Sequence, residues 1–152
     1  MKKQSSNWYI AATHYLTAGF VAPLLLGFLA SFLASIIPLF TAGIGEVLFG
    51  FIFLVLAIWL GVMYSARYLK KTYVITSENK QRIVSLATIY FVVLRLISYM
   101  CGFLSIITKI RIGIGMITEI LLNILVFVVI SGVLFYYLSR KYITEDSAVT
   151  NQ

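Results

Sequence analysis

Four runs of apolar residues, separated by short polar segments, occupy most of this chain. A helix of about 20 apolar residues is long enough to cross the hydrocarbon core of a bilayer. The composition agrees, since 61% of the residues are hydrophobic and 11% are charged, whereas soluble domains are roughly half apolar and a quarter charged. The sequence predicts an all-α integral membrane protein, a four-transmembrane-helix bundle in one membrane domain. The approximate spans are 19–39, 45–66, 83–108 and 112–138, with a cytoplasmic loop at 67–82 and a disordered tail at 144–152.

The first apolar run covers residues 8–40, and its 33 residues exceed what one straight span needs. Two arrangements fit it. In the one we prefer, residues 5–18 form an interfacial N-terminal segment, with its aromatic side chains at headgroup level, and residues 19–39 cross the membrane. In the other, the whole run is a single long helix that is kinked at Pro23.

The basic residues predict the orientation. Nine of the twelve Lys and Arg lie in three clusters beside the apolar runs, at residues 2–3, 67–82 and 140–141. Basic residues are enriched in cytoplasmic loops and are attracted to anionic lipid headgroups. We therefore expect both termini and the middle loop on the cytoplasmic side, with Lys109 and Arg111 as the exception. This placement argues against nucleic acid as a partner, and the short loops favour a prokaryotic cytoplasmic membrane.

The second and fourth spans end in similar sequences, YLKKTYVIT at 68–76 and YLSRKYIT at 137–144. A duplicated helical hairpin would produce this likeness. So would the general tendency of spans to end in aromatic and basic residues on the cytoplasmic side. With four spans in about this length, the chain resembles the GtrA-like family of small bacterial membrane proteins. That resemblance implies a role in moving polyprenyl-phosphate-linked sugars across the membrane.

Arg95 is the one basic residue inside a predicted span, ~18 Å from either end at 1.5 Å per residue. A charge at that depth needs a partner or water. On the fourth span, Glu119 and Asn123 are four residues apart and share a helix face. Counting from the span ends places Asn123 level with Arg95. The sequence thus predicts an intramembrane polar cluster of Arg95, Glu119 and Asn123, and we favour a structural ion pair over a site for an anionic substrate or headgroup.

Small residues at a spacing of four predict close contacts between helices in lipid. The same spacing serves contacts within one chain and contacts between copies, so a homo-oligomer or a membrane-protein partner is equally compatible with it. The candidate packing positions are Gly27, Ser31 and Ser35 in the first span, Ala57, Gly61 and Ser65 in the second, and Ser98 and Gly102 in the third.

The sequence predicts neither an enzyme nor a cofactor or metal site. His14 is the only histidine, so one chain cannot form a multi-histidine metal site. On a helix it shares a side with Asn7, Thr13 and Thr17, and we interpret it as a polar residue that faces the headgroups. The remaining titratable residues supply no combination of nucleophile, base and orienting acid.

The chain has several small-residue patterns for helix packing and no combination of catalytic residues. These features favour a non-enzymatic accessory or assembly subunit, or an oligomeric membrane subunit, of undetermined molecular function. A first alternative is a small transporter or translocase of a polyprenyl-linked sugar or another anionic solute, which rests on Arg95 and on the family resemblance. A second alternative is an immunity protein against a membrane-active toxin, which fits the size and the charge of the chain.

Overall fold

The computed structural model describes residues 2–36, 44–107 and 113–146, and this part of the chain is almost entirely helical. Its elements are α1 (Asn7–Tyr15), a π-helical segment (Leu16–Val21), α2 (Ala22–Ile36), α3 (Ile44–Thr72), α4 (Ser77–Ile107) and α5 (Ile114–Tyr142). Four helices are long and apolar enough to cross a membrane, over Asn7–Leu33, Phe49–Thr72, Ser77–Ser105 and Ile114–Tyr142. The predicted helical class, with four candidate spans, is confirmed.

The described part of the first apolar run, up to Ile36, forms one uninterrupted helix, in which α1, the π-helical segment and α2 follow one another without a break. We call it the N-terminal helix. Pro23 has no N–H to donate to the carbonyl of Gly19, and the wider π-helical turns end at Val21, two residues before it. The preferred arrangement, with residues 5–18 as a separate interfacial segment, is therefore wrong. The structure agrees with a single long helix, whose irregularity lies just before Pro23.

The connection between α3 and α4 is shorter than the predicted loop at 67–82. Helix α3 continues to Thr72 and α4 begins at Ser77, which leaves only residues 73–76 outside a helix. The start of α4 is capped reciprocally, because Asn79 Oδ1 accepts from the Thr76 N–H at 2.9 Å and Thr76 Oγ1 accepts from the Asn79 N–H at 3.3 Å. The basic residues of the predicted loop therefore lie largely on the ends of helices.

The N-terminal segment, residues 73–76 and the segment after α5 meet at one end of the bundle, which we call the terminal end. Lys3 joins the connection through two backbone bonds, Lys3 N to Thr72 O at 2.7 Å and Val74 N to Lys3 O at 3.3 Å. The backbone N–H of Asp146 donates to Ile75 O at 2.9 Å. The expectation of a disordered tail is thus wrong for residues 144–146, while residues 147–152 lie outside the described part.

The buried core lies in the half of the bundle near the terminal end. In the far half, residues 22–36, 49–56 and 113–127 contain no buried side chain among those described, although Phe103 of α4 is buried there. Helix α2 packs against α3, whereas α4 and α5 pack against each other. The far half is therefore joined much less tightly. The largest fully buried side chains are Ile10, His14, Ile58, Val62, Ser65, Leu69, Ile75, Ile83, Val84, Phe91, Phe135 and Ile143.

The ion pair between Lys2 and Asp146 gives the terminal end a pH dependence. The hydrogen bond from Lys2 holds the pKa of the Asp146 carboxyl below its usual value of 3.8. A carboxyl with a lowered folded-state pKa stabilises the fold above its unfolded pKa, and this contribution is lost as the pH falls through the folded-state pKa. We expect Asp146→Asn to lower stability by no more than about 1 kcal/mol at neutral pH.

Thermal unfolding in detergent, followed by circular dichroism, checks this expectation. The difference between the protein and its Asp146→Asn variant should shrink as the pH is brought below 3.8. Glu145→Gln, which affects the more exposed pair of Glu145 with Lys80, is the matched control. A difference at Asp146 that grows on acidification would contradict the assignment.

Candidate functional site

A polar centre lies inside the core, where α1, α3 and α5 meet. The side chain of His14 is fully buried. Its Nδ1 is hydrogen-bonded to Ser65 Oγ at 2.8 Å and its Nε2 to Ser139 Oγ at 2.9 Å. A neutral imidazole has one donor and one acceptor, so one serine hydroxyl donates to the ring and the other accepts from it. Within the described residues, no buried side-chain nitrogen or oxygen lacks a partner.

The interpretation of His14 as a headgroup-facing residue is wrong. It lies four residues after Ile10 and four before Ala18, both fully buried, and so belongs to the apolar face of the helix. That spacing is the signal that the sequence contained. Its partners carried no such signal, because Ser65 and Ser139 are 51 and 125 residues away in the chain.

Aromatic rings close off the polar centre. The ring of Phe135 lies 5.4 Å from the imidazole of His14, and it stacks on Phe91 with the ring centroids 4.5 Å apart. The imidazole is therefore enclosed by the core. Hydrogen bonds between helices hold their relative positions where the surroundings are apolar, so the role of His14 is to fix α1 against α3 and α5.

Arg95 lies at the point on α4 where the buried core ends. It follows the fully buried Phe91 by one turn, and its guanidinium lies 5.3 Å from the centroid of the Phe91 ring. Its Nη1 donates to the hydroxyl of Tyr99 at 3.4 Å. Cation–π contacts of this kind stabilise a partly desolvated arginine, so two neighbours on its own helix hold the side chain.

Arg95 lines a groove of about 520 Å³ between the N-terminal helix and α4, which we call the Arg95 groove. Its walls combine apolar side chains with a single cation and two hydroxyl groups, so the groove suits a molecule that has an apolar body and an anionic group. The apolar walls come from Leu16, Phe20, Pro23, Leu24 and Leu94, and the polar groups from Tyr15, Arg95 and Ser98.

The structure does not bring Arg95 together with Glu119 and Asn123. Both α5 residues are exposed, and the ion pairs among the described residues are Lys2–Asp146 and Lys80–Glu145. The predicted polar cluster is therefore absent from the described contacts, and Arg95 interacts instead with Phe91 and Tyr99.

The physical reason is the register of the hairpin that α4 and α5 form. Tyr99 contacts Phe127, with the ring centroids 5.8 Å apart, and Gly132 lies directly against Val92. These two contacts place residues 129–131 level with Arg95, six to eight residues or ~9 to 12 Å from Asn123. The sequence-based estimate counted residues inward along each span from the loop between them. It assumed that the two helices end at the same depth, whereas side-chain packing sets their register.

The three small-residue stripes differ in their surroundings. Ala57, Gly61 and Ser65 are buried, and a Cβ on Gly61 would lie 2.6 Å from the backbone oxygen of Ala18. This stripe is the contact between α3 and the N-terminal helix. The other two stripes are exposed, and a Cβ on either of their glycines would meet nothing within 4 Å. The exposed residues are Gly27, Ser31 and Ser35 on α2 and Ser98 and Gly102 on α4.

Neither metal-ligand groupings nor relatives point to a function. The described residues contain no group of three or more His, Cys, Asp or Glu side chains that could hold a metal ion. In comparisons with known proteins, no family model, curated protein or solved structure matches the chain. The resemblance to the GtrA-like family stays a prediction, and the geometry of the Arg95 groove is what bears on function.

Proposed function

We propose that the chain is an integral membrane protein of a prokaryotic cytoplasmic membrane, with both termini on the cytoplasmic side, that binds the phosphate group of an anionic amphiphile. The ligand occupies the Arg95 groove. The protein holds or moves this amphiphile and carries out no covalent chemistry on it. This proposal places the transporter or translocase alternative ahead of the accessory subunit that the sequence alone favours.

The observation that carries the proposal is a cation that lines an open groove without an acidic partner. Arg95 is half-buried, and no carboxylate among the described residues pairs with it. An arginine at mid-membrane depth costs at least ~2.5 kcal/mol, and a bound anion offsets that cost. Arginine is well suited to phosphate, because its planar guanidinium donates two parallel hydrogen bonds to the phosphate oxygens.

The walls of the groove favour a ligand with an apolar chain over a small soluble anion. Leu16 and Phe20 are each 52% exposed, and Leu24 is 45% exposed. An acyl or prenyl chain lying along this side of the N-terminal helix would cover these residues while its phosphate reached Arg95. A polyprenyl-linked sugar, which the family resemblance implies, belongs to this chemical class.

The proposal includes a duplicated hairpin as the architecture of the bundle. Equivalent positions of the two similar sequences are buried alike, since Leu69 and Leu138 are 0% and 8% exposed and Ile75 and Ile143 are each 1% exposed. The hydrogen bond from Asp146 N to Ile75 O joins the first sequence to the residues that directly follow the second, at the terminal end. Two copies of one hairpin placed side by side would have this arrangement.

A second candidate is the accessory or oligomeric subunit, and the exposed stripe on α2 favours it. Gly27, Ser31 and Ser35 lie on the outside of the described chain. The hydroxyls of Ser31 and Ser35 bond to carbonyls of their own helix, at 2.9 Å and 2.6 Å, which leaves the stripe flat enough for another helix to approach.

Arg95→Gln is expected to weaken the binding of phosphatidic acid roughly 10- to 100-fold, because charge-assisted hydrogen bonds to the phosphate are lost. Native mass spectrometry of the protein released from detergent micelles, over a titration with the lipid, measures this affinity. Two further ligands separate the parts of the amphiphile: diacylglycerol lacks the phosphate, and inorganic phosphate lacks the chains. We expect phosphatidic acid to bind more tightly than either.

Two variants control this experiment. Arg67→Gln removes the same charge from an exposed position on α3 outside the groove and should weaken binding much less than Arg95→Gln. Ser98→Phe keeps Arg95 but fills the groove, and it should weaken binding. Equal affinity of the protein and Arg95→Gln for phosphatidic acid would sink the proposal, and a second protein bound in fixed ratio would favour the accessory subunit instead.

A further inference from the structure

A second groove, of about 650 Å³, opens between the same two helices nearer the terminal end. We call it the Arg82 groove. Five of its seven lining residues are polar, whereas most residues of the Arg95 groove are apolar. The guanidinium of Arg82 is exposed and forms no ion pair within the described residues. The polar lining residues are Asn7 from α1 and Glu78, Gln81, Arg82 and Ser85 from α4.

Three aromatic rings connect the two grooves. Trp8 lines the Arg82 groove and Tyr15 lines the Arg95 groove. The ring of Tyr90 lies between them, 6.1 Å from the ring of Trp8 and 6.4 Å from that of Tyr15. The grooves are therefore two parts of one seam between the N-terminal helix and α4, with a cation in each.

The two cations differ in depth. Arg82 lies in the second turn of α4, and 13 residues, or ~20 Å of helix, separate it from Arg95. Trp8 is 62% exposed, and exposed tryptophans at the ends of spans are typical of the headgroup region of a bilayer. If the spans cross a membrane as proposed above, the Arg82 groove lies at the depth of the lipid headgroups and the Arg95 groove lies nearer the middle.

We infer that the Arg82 groove is a second binding site for the phosphate of the same amphiphile, at headgroup depth, from which the seam leads to Arg95. The identity of the ligand rests on the proposed function. Asn7, Gln81 and Ser85 supply neutral donors that complement the guanidinium around a phosphate. The lipid enters from its own leaflet with its chains outside the seam, so a site at this depth is where its phosphate first meets the protein.

Glu78 allows a stricter test of the inference. It lines the same groove, and its negative charge would repel an anion bound there. It lies four residues before Arg82, on the same side of α4. Removing the two charges one at a time should therefore change phosphate binding in opposite directions. Arg82→Gln should weaken binding, and Glu78→Gln should strengthen it, whereas a purely structural role for this pair would let both variants act alike.

The test uses the fluorescence of Trp8 in phosphatidylcholine vesicles that contain phosphatidic acid brominated close to its headgroup. Bromine quenches a tryptophan that it contacts. The signal of Trp8 is the difference in fluorescence between each protein and the same protein carrying Trp8→Phe. This subtraction removes the contribution of Trp59. We expect more quenching by brominated phosphatidic acid than by equally brominated phosphatidylcholine. Arg82→Gln should lower the affinity for phosphatidic acid about 3- to 10-fold, and Arg67→Gln, outside the groove, should lower it clearly less.

The outcomes separate this inference from the proposed function. Quenching of Trp8 that is unaffected by Arg82→Gln overturns the second site. Displacement of the brominated lipid by inorganic phosphate, at a concentration similar to that of the lipid, also overturns it. Arg95→Gln should leave the Trp8 signal intact, which supports two separate sites. If the Trp8 signal depends on Arg82 while Arg95→Gln leaves total lipid binding unchanged, the proposed function fails and the headgroup site stands.

Discussion

Replacing His14 with alanine is expected to lower the free energy of unfolding by about 3 to 5 kcal/mol. The substitution removes a fully buried imidazole and leaves a cavity where α1, α3 and α5 meet. It also leaves the hydroxyls of Ser65 and Ser139 without the ring nitrogens that lie 2.8 and 2.9 Å from them. Both the cavity and the loss of the two hydrogen bonds to the ring destabilise the folded state, so their costs act together.

Unfolding in mixed micelles, with increasing denaturing detergent and circular dichroism as the readout, measures this loss. His14→Gln keeps one donor and one acceptor and should recover part of the stability. His14→Leu removes the ring nitrogens from both serines, leaving Ser65 only its 3.5 Å bond to the backbone oxygen of residue 14, and adding Ser65→Ala and Ser139→Ala removes the two hydroxyls. Because unpaired buried polar groups cost more than absent ones, the triple variant should be more stable than His14→Leu alone. A triple variant that is less stable would show that the hydrogen bonds are not what His14 contributes.

The helical class could be predicted because it depends on properties that each segment has by itself. An apolar run of about 20 residues satisfies its backbone only as a helix in lipid, whatever its neighbours do. The capped start of α4 also depends on local residues, Thr76 and Asn79, but the prediction placed it inside the loop at 67–82 and missed it. The ends of the helices were less predictable, because residues 67–72 continue α3 although Arg67, Lys70 and Lys71 are charged.

The form of the first run could not be decided from length alone. Its 33 residues fit an interfacial segment with a span as well as they fit one long helix. The deciding factor is tertiary, since Ile10, Ala11 and His14 are buried in the bundle. An amphipathic segment lying flat on a bilayer could not bury those side chains against other helices.

For the candidate site too, the properties of a single segment could be predicted and the contacts between helices could not. Arg95 stood out in the sequence because a charge within a span is costly, and it does line a groove. Its partners were mispredicted, because the register of α4 against α5 depends on packing at Val92 and Gly132. Which helix faces Arg95 likewise depends on the whole bundle, and the groove residues Tyr15 and Phe20 come from a helix that the sequence did not connect with α4.

Gly61→Ala is expected to destabilise the protein by about 1 to 3 kcal/mol, although alanine is the better helix former. A Cβ at this position would lie 2.6 Å from the backbone oxygen of Ala18 and 2.8 Å from Cβ of Ala22. Neither atom belongs to a flexible side chain, so relief requires α3 to move away from the N-terminal helix. Gly61→Leu should prevent this contact from forming and sharply lower the yield of folded protein.

Gly27→Ala is the matched control, because a Cβ there would meet nothing within 4 Å. Without a clash, the helix propensity of alanine should leave stability unchanged or raise it by up to about 1 kcal/mol. The same detergent titration measures both variants, and equal losses at Gly61 and Gly27 would contradict the assignment of the two stripes. Gly27→Leu extends the comparison to assembly. If the exposed stripe on α2 joins two copies, this variant should keep the fold and lose the oligomer in native mass spectrometry, whereas an unchanged mass would leave Gly27 facing lipid alone.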